Sequence, residues 1–132
     1  GTVMTPDGKE VWVSEGGENM VSVIDVASNK ITHEIPVGAD AHGLALSPDG
    51  RLVAVTNRGD HSLSLIQVGA HRVTETIPVG RRPDIVVFSP DGTELYVTSR
   101  DTGTVEVIDV AGKAVTASIP VGTDPHGIIV GP

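Results

Sequence analysis

Hydrophobic positions along this chain form short runs of Val, Ile, Leu and Thr, and Gly, Pro, Asn or Asp separate one run from the next. Short apolar runs bounded by turn residues predict β-strands. No longer segment shows the 3.6-residue period that is typical of an amphipathic helix. The pattern therefore predicts an all-β protein built from short antiparallel strands.

The runs recur with a period of 42 residues. Ile-Pro-Val-Gly occurs at 35–38, 77–80 and 119–122, and Pro-Asp-Gly occurs at 6–8, 48–50 and 90–92, each with that spacing. Two unrelated motifs in one register indicate three copies of one unit, and periods of this size are typical of solenoids, propellers and arrays. The predicted repeats cover about 1–41, 42–83 and 84–125, and an inner strand follows at 126–132.

Each repeat contains four runs, which in the third repeat are Asp84–Ser89, Glu94–Ser99, Thr104–Val110 and Val115–Val121. Proline occurs in the fourth run of every repeat, and this run belongs at a sheet edge because proline cannot donate a ladder hydrogen bond. The first run is apolar on both faces, which indicates a strand that is covered on both sides. The sequence predicts β-propeller blades, namely three four-stranded antiparallel meanders with the first run innermost, plus one extra inner strand.

Composition limits the partners and the chemistry. The chain has a net charge of −8 and no cysteine. The negative charge argues against nucleic acid or an anionic membrane as a partner, because both require clustered Lys and Arg. No apolar run approaches the roughly 18 residues of a membrane-spanning helix, so we expect no membrane insertion. Without cysteine there is neither a disulfide framework nor thiol chemistry.

Polar residues at equivalent positions precede the innermost runs: His42, Asp84 and His126. We expect these three side chains around the mouth of the central channel. Imidazole and carboxylate groups are suitable ligands for a divalent transition metal, which is one interpretation. The other interpretation, which we favour, is that they hydrogen-bond loop backbone and that no cofactor is bound.

The turns between the second and third runs share one face of the propeller with the links between repeats. This loop surface carries Asn57, Arg58, His61, Arg81, Arg82 and Arg100. Arginines on an acidic protein are suited to a carboxylate or phosphate ligand, or else they pair with neighbouring aspartates. No nucleophile elbow and no Gly-rich phosphate loop is present, so we predict no catalytic residue. We expect His33 and His71 to be plain surface residues and Trp12 to pack between blades.

Several of these segments resemble the YVTN family of β-propeller repeats. They are Leu95-Tyr96-Val97-Thr98-Ser99, Val53-Ala54-Val55-Thr56-Asn57, the Val-Ile-Asp-Val and Ile-Pro-Val-Gly segments, the Ser-Pro-Asp-Gly turns and Pro125-His126-Gly127. The resemblance covers essentially the whole chain. It implies a propeller, commonly seven-bladed, in an exported or surface-layer protein, and hence a periplasmic, extracellular or cell-surface location. Related propellers include lactonase-like enzymes and redox enzymes, some of which collect histidines from several blades around copper.

Three blades are fewer than the roughly four to eight of known propellers. An open arc exposes two apolar blade faces, and a face of roughly 500 Å² forgoes about 12 kcal/mol of burial at about 25 cal/mol per Å². We therefore expect other copies of the chain, or the remaining blades of a larger propeller, to complete the ring. The favoured function is a non-catalytic binding or assembly scaffold of unknown ligand. The alternative is part of a propeller enzyme, either a metal-dependent oxidoreductase or a lactonase-like hydrolase.

Overall fold

The computed structural model describes residues 1–132 and consists almost entirely of short strands. The strands are β1 (Thr2–Met4), β2 (Glu10–Glu15), β3 (Met20–Asp25), β4 (Lys30–Pro36), β5 (Ala41–Leu46), β6 (Leu52–Asn57), β7 (Ser62–Gln67), β8 (Arg72–Pro78), β9 (Pro83–Phe88), β10 (Glu94–Ser99), β11 (Thr104–Asp109) and β12 (Ala114–Pro120). One turn of 3₁₀ helix, Gly16–Glu18, follows β2. A helix with the length and apolarity needed to cross a bilayer is not found.

The strands form three sheets of four, in the orders β1-β2-β3-β4, β5-β6-β7-β8 and β9-β10-β11-β12, with every pair antiparallel. We call these sheets blades 1, 2 and 3. A β-bulge recurs between the third and fourth strands, at Val23/Ile24, Leu65/Ile66 and Val107/Ile108. The predicted all-β fold of four-stranded meanders is confirmed. The proline-containing run is the edge strand of each blade, as predicted.

Each Ser/Thr-Pro-Asp-Gly turn is closed by its own side chains. In blade 2 the Ser47 hydroxyl donates to Asp49 Oδ1 at 2.6 Å and accepts from the Leu52 N–H at 2.9 Å. Gly50 adopts a φ of +72°, a left-handed conformation that glycine reaches without steric cost. The Ser47 hydroxyl and the Arg51 N–H hold the pKa of Asp49 below its usual value. These local bonds set the hairpin that joins the first two strands of the blade.

Two apolar cores lie between the blades. The core between blades 1 and 2 contains the buried residues Trp12, Val21, Val23, Ile35, Ala41, Val53, Val55 and Ile66. The core between blades 2 and 3 contains the buried residues Ala45, Ala54, Leu63, Leu65, Ile77, Val86, Phe88, Leu95, Val97 and Ile108. Both faces of blade 2 are therefore covered, which explains why its strands β6 and β7 are apolar without strict alternation.

The outer faces of blades 1 and 3 are open. Ile119 in blade 3 is 47% exposed, whereas Ile77, its equivalent 42 residues earlier, is 2% exposed. On blade 1, Met4 and Ile31 are 54% and 55% exposed. Residues that would be buried between blades are thus exposed at both ends of the arc.

Residues 126–132 do not form the predicted extra inner strand. The carbonyl oxygen of His126 accepts a hydrogen bond from the Thr98 hydroxyl at 2.8 Å, so this segment begins in the position of an inner strand. No second strand lies beside it, and a strand requires a hydrogen-bonded neighbour. Ile129 is 90% exposed as a result.

Candidate functional site

Three equivalent residues meet in one polar cluster: His42 near the start of β5, Asp84 near the start of β9, and His126 in the segment after β12. His42 Nε2 lies 3.2 Å from Asp84 Oδ1, and His126 Nδ1 contacts Asp84 Oδ2. The Asp84 side chain is 0% exposed, while those of His42 and His126 are 33% and 62% exposed. The structure therefore brings together the three side chains that the repeat period placed at equivalent positions.

Arg58 completes the cluster from the turn between β6 and β7. Its Nε and Nη2 atoms donate to Asp84 Oδ1 at 3.0 and 2.5 Å. Arg100 approaches the other oxygen, with Nη1 at 3.9 Å from Asp84 Oδ2. Burial on its own would raise the pKa of Asp84, but the hydrogen bonds from Arg58 and His126 and the charge of Arg58 outweigh that effect, so the pKa lies below its usual value.

The cluster is poorly suited to a metal ion. Burial and the charge of Arg58 lower the pKa of His42, and because the neutral imidazole is the form that binds metals, the obstacle is not this histidine but the neighbouring guanidinium. Arg58 carries a permanent positive charge and occupies the Asp84 oxygen that a metal would need. No group of three or more His, Asp or Glu side chains is arranged to hold a metal ion. A metal at His42, Asp84 and His126 stays a prediction that this geometry does not support.

The arginines of the loop surface pair with separate aspartates. Arg100 donates to both carboxylate oxygens of Asp124 at 2.5 and 2.7 Å, and Arg82 lies 3.9 Å from Asp101. The bonds to Asp124 raise the pKa of Arg100, and the same bonds lower the pKa of Asp124. Arg58, Arg82 and Arg100 therefore lie beside aspartates, with Asp84 close to both Arg58 and Arg100, and they do not form a single basic patch.

Two other predicted loop-surface residues serve the fold. Asn57 is fully buried at the end of β6, where its side chain donates to Ser62 and Ser64 and accepts from the Gly38 N–H at 3.1 Å. Its predicted place on the exposed loop surface is wrong, because the polar groups of the link need a buried partner. His61 is exposed, and its Nδ1 accepts from the Arg82 N–H at 3.1 Å. Arg81 is also exposed.

One recurring hydrogen bond between blades, from a side-chain hydroxyl to a backbone carbonyl, was not predicted from the sequence. The hydroxyls of Ser14, Thr56 and Thr98 donate to the carbonyls of His42, Asp84 and His126 at 2.6, 2.8 and 2.8 Å. Donor and acceptor are 28 residues apart in each case. The signal was present in the sequence, because a hydroxyl residue recurs at 14, 56 and 98 with the period of the repeat.

A cluster of aromatic and imidazole side chains on the opposite face of the propeller was also not predicted from the sequence. The rings of His33 and His71 stack with centroids 3.7 Å apart, and Trp12 stacks on His71 at 5.6 Å. Glu10 accepts from Trp12 Nε1 at 2.9 Å and lies 2.9 Å from His71 Nε2. His33 is exposed, as predicted, but both histidines are part of the contact between blades 1 and 2, so the prediction that they are plain surface residues is wrong in that respect. Trp12 is buried between blades, as predicted.

Three four-stranded meanders that pack face to face, with their inner strands side by side, define a β-propeller segment. Polar residues at equivalent positions near the ends of those inner strands also agree with a β-propeller. The chain belongs to the YNCE-like beta-propeller family, whose family model matches residues 2–131.

Solved structures show the same fold. Kuenenia stuttgartiensis hydrazine synthase is similar to this chain with a TM-score of 0.88 and 27% identity, over 94% of this chain and 36% of that one. U3-55K has a TM-score of 0.82 at 22% identity over 93% of this chain and 39% of its own, and the RRP9 WD40 repeats have the same TM-score and identity over 93% and 38%. This chain thus spans less than two fifths of each of these structures. A comparison with curated proteins finds no match.

Proposed function

We propose that this chain is a non-catalytic β-propeller module that acts as a scaffold. It joins further blades through its two open faces and presents the loop surface as a rigid place for binding. The observation that carries the proposal is the exposure of Ile119, at 47%, in a position where Ile77 is 2% exposed. The same backbone position is covered by a blade in one repeat and uncovered in the next.

The open face of blade 3 has the composition of a covered face. Val105, Ile119 and Val121 occupy the repeat positions of Leu63, Ile77 and Val79. Leu63 and Ile77 belong to the core between blades 2 and 3, and Val79 packs against that core. Exposed apolar patches of this kind mark interaction sites on soluble proteins. Within this molecule, a face of this composition packs against another blade. We therefore infer that further blades cover the open face of blade 3 in the functional protein.

The binding role is supported by the rigidity of the loop surface. Asp84 and Asp124 hold Arg58 and Arg100 in defined positions through hydrogen bonds. Loops that a rigid scaffold positions are the usual place for binding residues. We also propose, from the resemblance to YVTN repeats, that the module works outside the cytoplasm, in the periplasm or at the cell surface.

An added blade tests the proposal. The chain is extended after Pro125 with a second copy of residues 42–83, which places a blade over the face that contains Ile119. We expect urea unfolding to show a higher free energy of unfolding than that of the original chain, because the new contact buries Val105, Ile119 and Val121.

The matched control is Ile119→Asp in both proteins, measured at concentrations where each is monomeric. In the extended chain the substitution buries a carboxylate and costs more than about 2 kcal/mol, while in the original chain it changes the free energy of unfolding by less than about 0.5 kcal/mol. An extended chain that gains no stability, and in which Ile119→Asp has no effect, would contradict the proposed function.

A further inference from the structure

We propose that a groove at the contact of blades 1 and 2 binds a primary carboxamide group, carried by a small ligand or by a glutamine side chain of a protein partner. The groove has a volume of about 300 Å³ and lies between the link after β4, the turn after β6 and the strands β7 and β8. Its lining comes from two neighbouring blades of this chain, so it does not involve the open faces of blades 1 and 3.

Two buried serines of β7 supply hydroxyl donors to the groove. Ser62 is 7% exposed and Ser64 is 1% exposed, and both line the groove. The side-chain amide of Asn57 donates to their hydroxyl oxygens at 3.0 and 2.9 Å. Neither hydroxyl donates to an acceptor of this chain, so each has a proton to give. A buried donor that lacks an acceptor is costly, and a ligand oxygen at this place would remove that cost.

The second contact shows which group fits such a space, because the Glu106 side chain fills it there. Glu106 occupies the repeat position of Ser64 and is 4% exposed. Its carboxylate accepts from the Gly80 N–H at 2.7 Å and from the hydroxyls of Ser99 and Thr104, both at 2.9 Å. No groove with the corresponding lining is found between blades 2 and 3. A planar group with two hydrogen-bonding atoms is therefore the natural occupant of this space.

Only part of that arrangement is present at the first contact. Ser64 is too short to reach the link, and the Asn57 amide oxygen accepts from the Gly38 N–H at 3.1 Å instead. Ser62 keeps the hydroxyl that the equivalent threonine supplies in blade 3, and Ser64 adds a second hydroxyl in place of the carboxylate. The groove therefore receives from outside the group that Glu106 supplies from within the chain.

The charge beside the groove selects a carboxamide over a carboxylate. A Cβ atom on Gly38 would lie 2.6 Å from both Asn57 Cγ and Asp60 Oδ2, so the Asp60 carboxylate lies next to the Asn57 amide. Asp60 Oδ2 accepts from the Ala39 N–H at 2.7 Å, and Oδ1 accepts from no residue of the chain. In blade 3 this position is the uncharged Thr102. A second carboxylate would be repelled by Asp60, whereas a carboxamide presents its oxygen to the serines and its NH₂ group to Asp60.

Titration with propionamide, followed by ¹H–¹⁵N NMR spectra of the intact chain, tests the site. We expect saturable shifts of the Gly38, Ser62 and Ser64 amide signals at millimolar concentrations. Propionate has a similar shape and a negative charge, so it should bind at least about tenfold more weakly. Acetyl-glutamine methylamide distinguishes the two sources of the carboxamide. Tighter binding than propionamide indicates a protein side chain, and binding of propionamide alone indicates a small ligand.

Substitutions that copy blade 3 give matched controls. Asp60→Thr should reverse the preference, so that propionate binds at least as tightly as propionamide, because the repelling charge is gone. Ser64→Ala removes one donor and should weaken propionamide binding about fivefold. The triple variant Asn57→Ser, Asp60→Thr, Ser64→Glu should bind neither probe, since its own carboxylate fills the groove as Glu106 does. A cooperative urea transition shows that the triple variant is folded.

Three results would overturn this inference. The first is the lack of any saturable shift with propionamide, and the second is tighter binding of propionate than of propionamide by the natural chain. The third is unchanged propionamide binding by the folded triple variant, which would place the probe elsewhere on the molecule. None of them concerns the stability of the chain extended by one blade, so the proposed function is tested separately.

Discussion

The two blade contacts of this molecule share one backbone and differ in chemistry. Between blades 1 and 2 the core contains Trp12, and the outer rim, where the fourth strand of one blade meets a turn of the next, is a stack of aromatic and imidazole rings. Between blades 2 and 3 Ala54 replaces the tryptophan, Leu63 and Phe88 fill the core, and the rim is an ion pair. The polar cluster follows the same division, because Arg58 and Asp84 join blades 2 and 3, whereas the equivalent positions of the first contact have Gly16 and His42.

The difference shows what a repeat has to preserve. The hydroxyl bond of Ser14 and Thr56 to the next inner strand is present in both contacts, since it joins a side chain to backbone. The size of the core side chains, the chemistry of the rim and the charged residues all differ between the two contacts. Each contact therefore matches its own pair of blades.

The largest expected effect is the loss of the aromatic core from the first contact. Trp12 is fully buried, so Trp12→Ala should lower the free energy of unfolding by about 3 to 5 kcal/mol, as measured by urea unfolding. Tyr96→Ala is the matched control, because Tyr96 has the same position on an open face and should cost only about 1 kcal/mol. Equal losses at the two positions would show that the blade contact adds nothing at Trp12.

Removing the buried charge tests the second contact. Asp84→Asn leaves Arg58 without a full counter-charge, and we expect a loss of about 2 kcal/mol at neutral pH. Asp124→Asn removes the exposed partner of Arg100 and should change stability by less than Asp84→Asn does. A larger effect at Asp124 would contradict the central role assigned to Asp84.

Acid should remove the same contribution. Because the pKa of Asp84 is lower in the folded chain than the usual value of about 3.9, its contribution is present above that value and is lost as the pH falls through the folded pKa. The difference in unfolding free energy between the natural chain and Asp84→Asn should therefore be constant near neutral pH and should shrink below about pH 4. A difference that grows on acidification would have the wrong sign for this mechanism.

Loss of the hydroxyl-to-carbonyl hydrogen bond that both contacts share should have a smaller effect on stability. Thr56 accepts from the Gly43 N–H at 2.7 Å and donates to the Asp84 carbonyl at 2.8 Å, both in the buried interior. Thr56→Val should cost about 1 to 2 kcal/mol by urea unfolding. Thr98→Val should cost less, because its partner, the carbonyl of His126, lies in an exposed segment where water can replace the hydroxyl. The reverse order would mean that residues 126–132 are held more tightly than their exposure indicates.

The smallest effect belongs to the rim ion pair. Glu75 and Lys113 are 34% and 53% exposed, so Glu75→Gln should cost less than about 1 kcal/mol, and moderate salt should reduce this loss further. His33→Gln removes the stacked partner of His71 in the first contact, and salt should not alter its effect. A strong dependence on salt at His33 would indicate that charge and not stacking holds that rim.

Most of the fold follows from local residue chemistry. Pro36, Pro78 and Pro120 mark the edge strands, and the Ser/Thr-Pro-Asp-Gly turns mark the first hairpin of each blade. The four-stranded meanders could therefore be predicted from the sequence. The meeting of His42, Asp84 and His126 was also predictable, because equivalent positions of stacked repeats lie side by side. The burial of Asn57 and the unpaired segment 126–132 could not be predicted, since both depend on a neighbouring chain segment.

The sequence by itself determined the blade: its four strands, its turns, its edge strand and the period that stacks one blade on the next. Only the tertiary structure decided which side chains meet across blades, such as Arg58 with Asp84 and His33 with His71. Those partners occupy non-equivalent positions in different repeats, and their contact depends on how far each blade is rotated against its neighbour. A period of 42 residues specifies that blades stack, but the packing of the two cores sets that rotation.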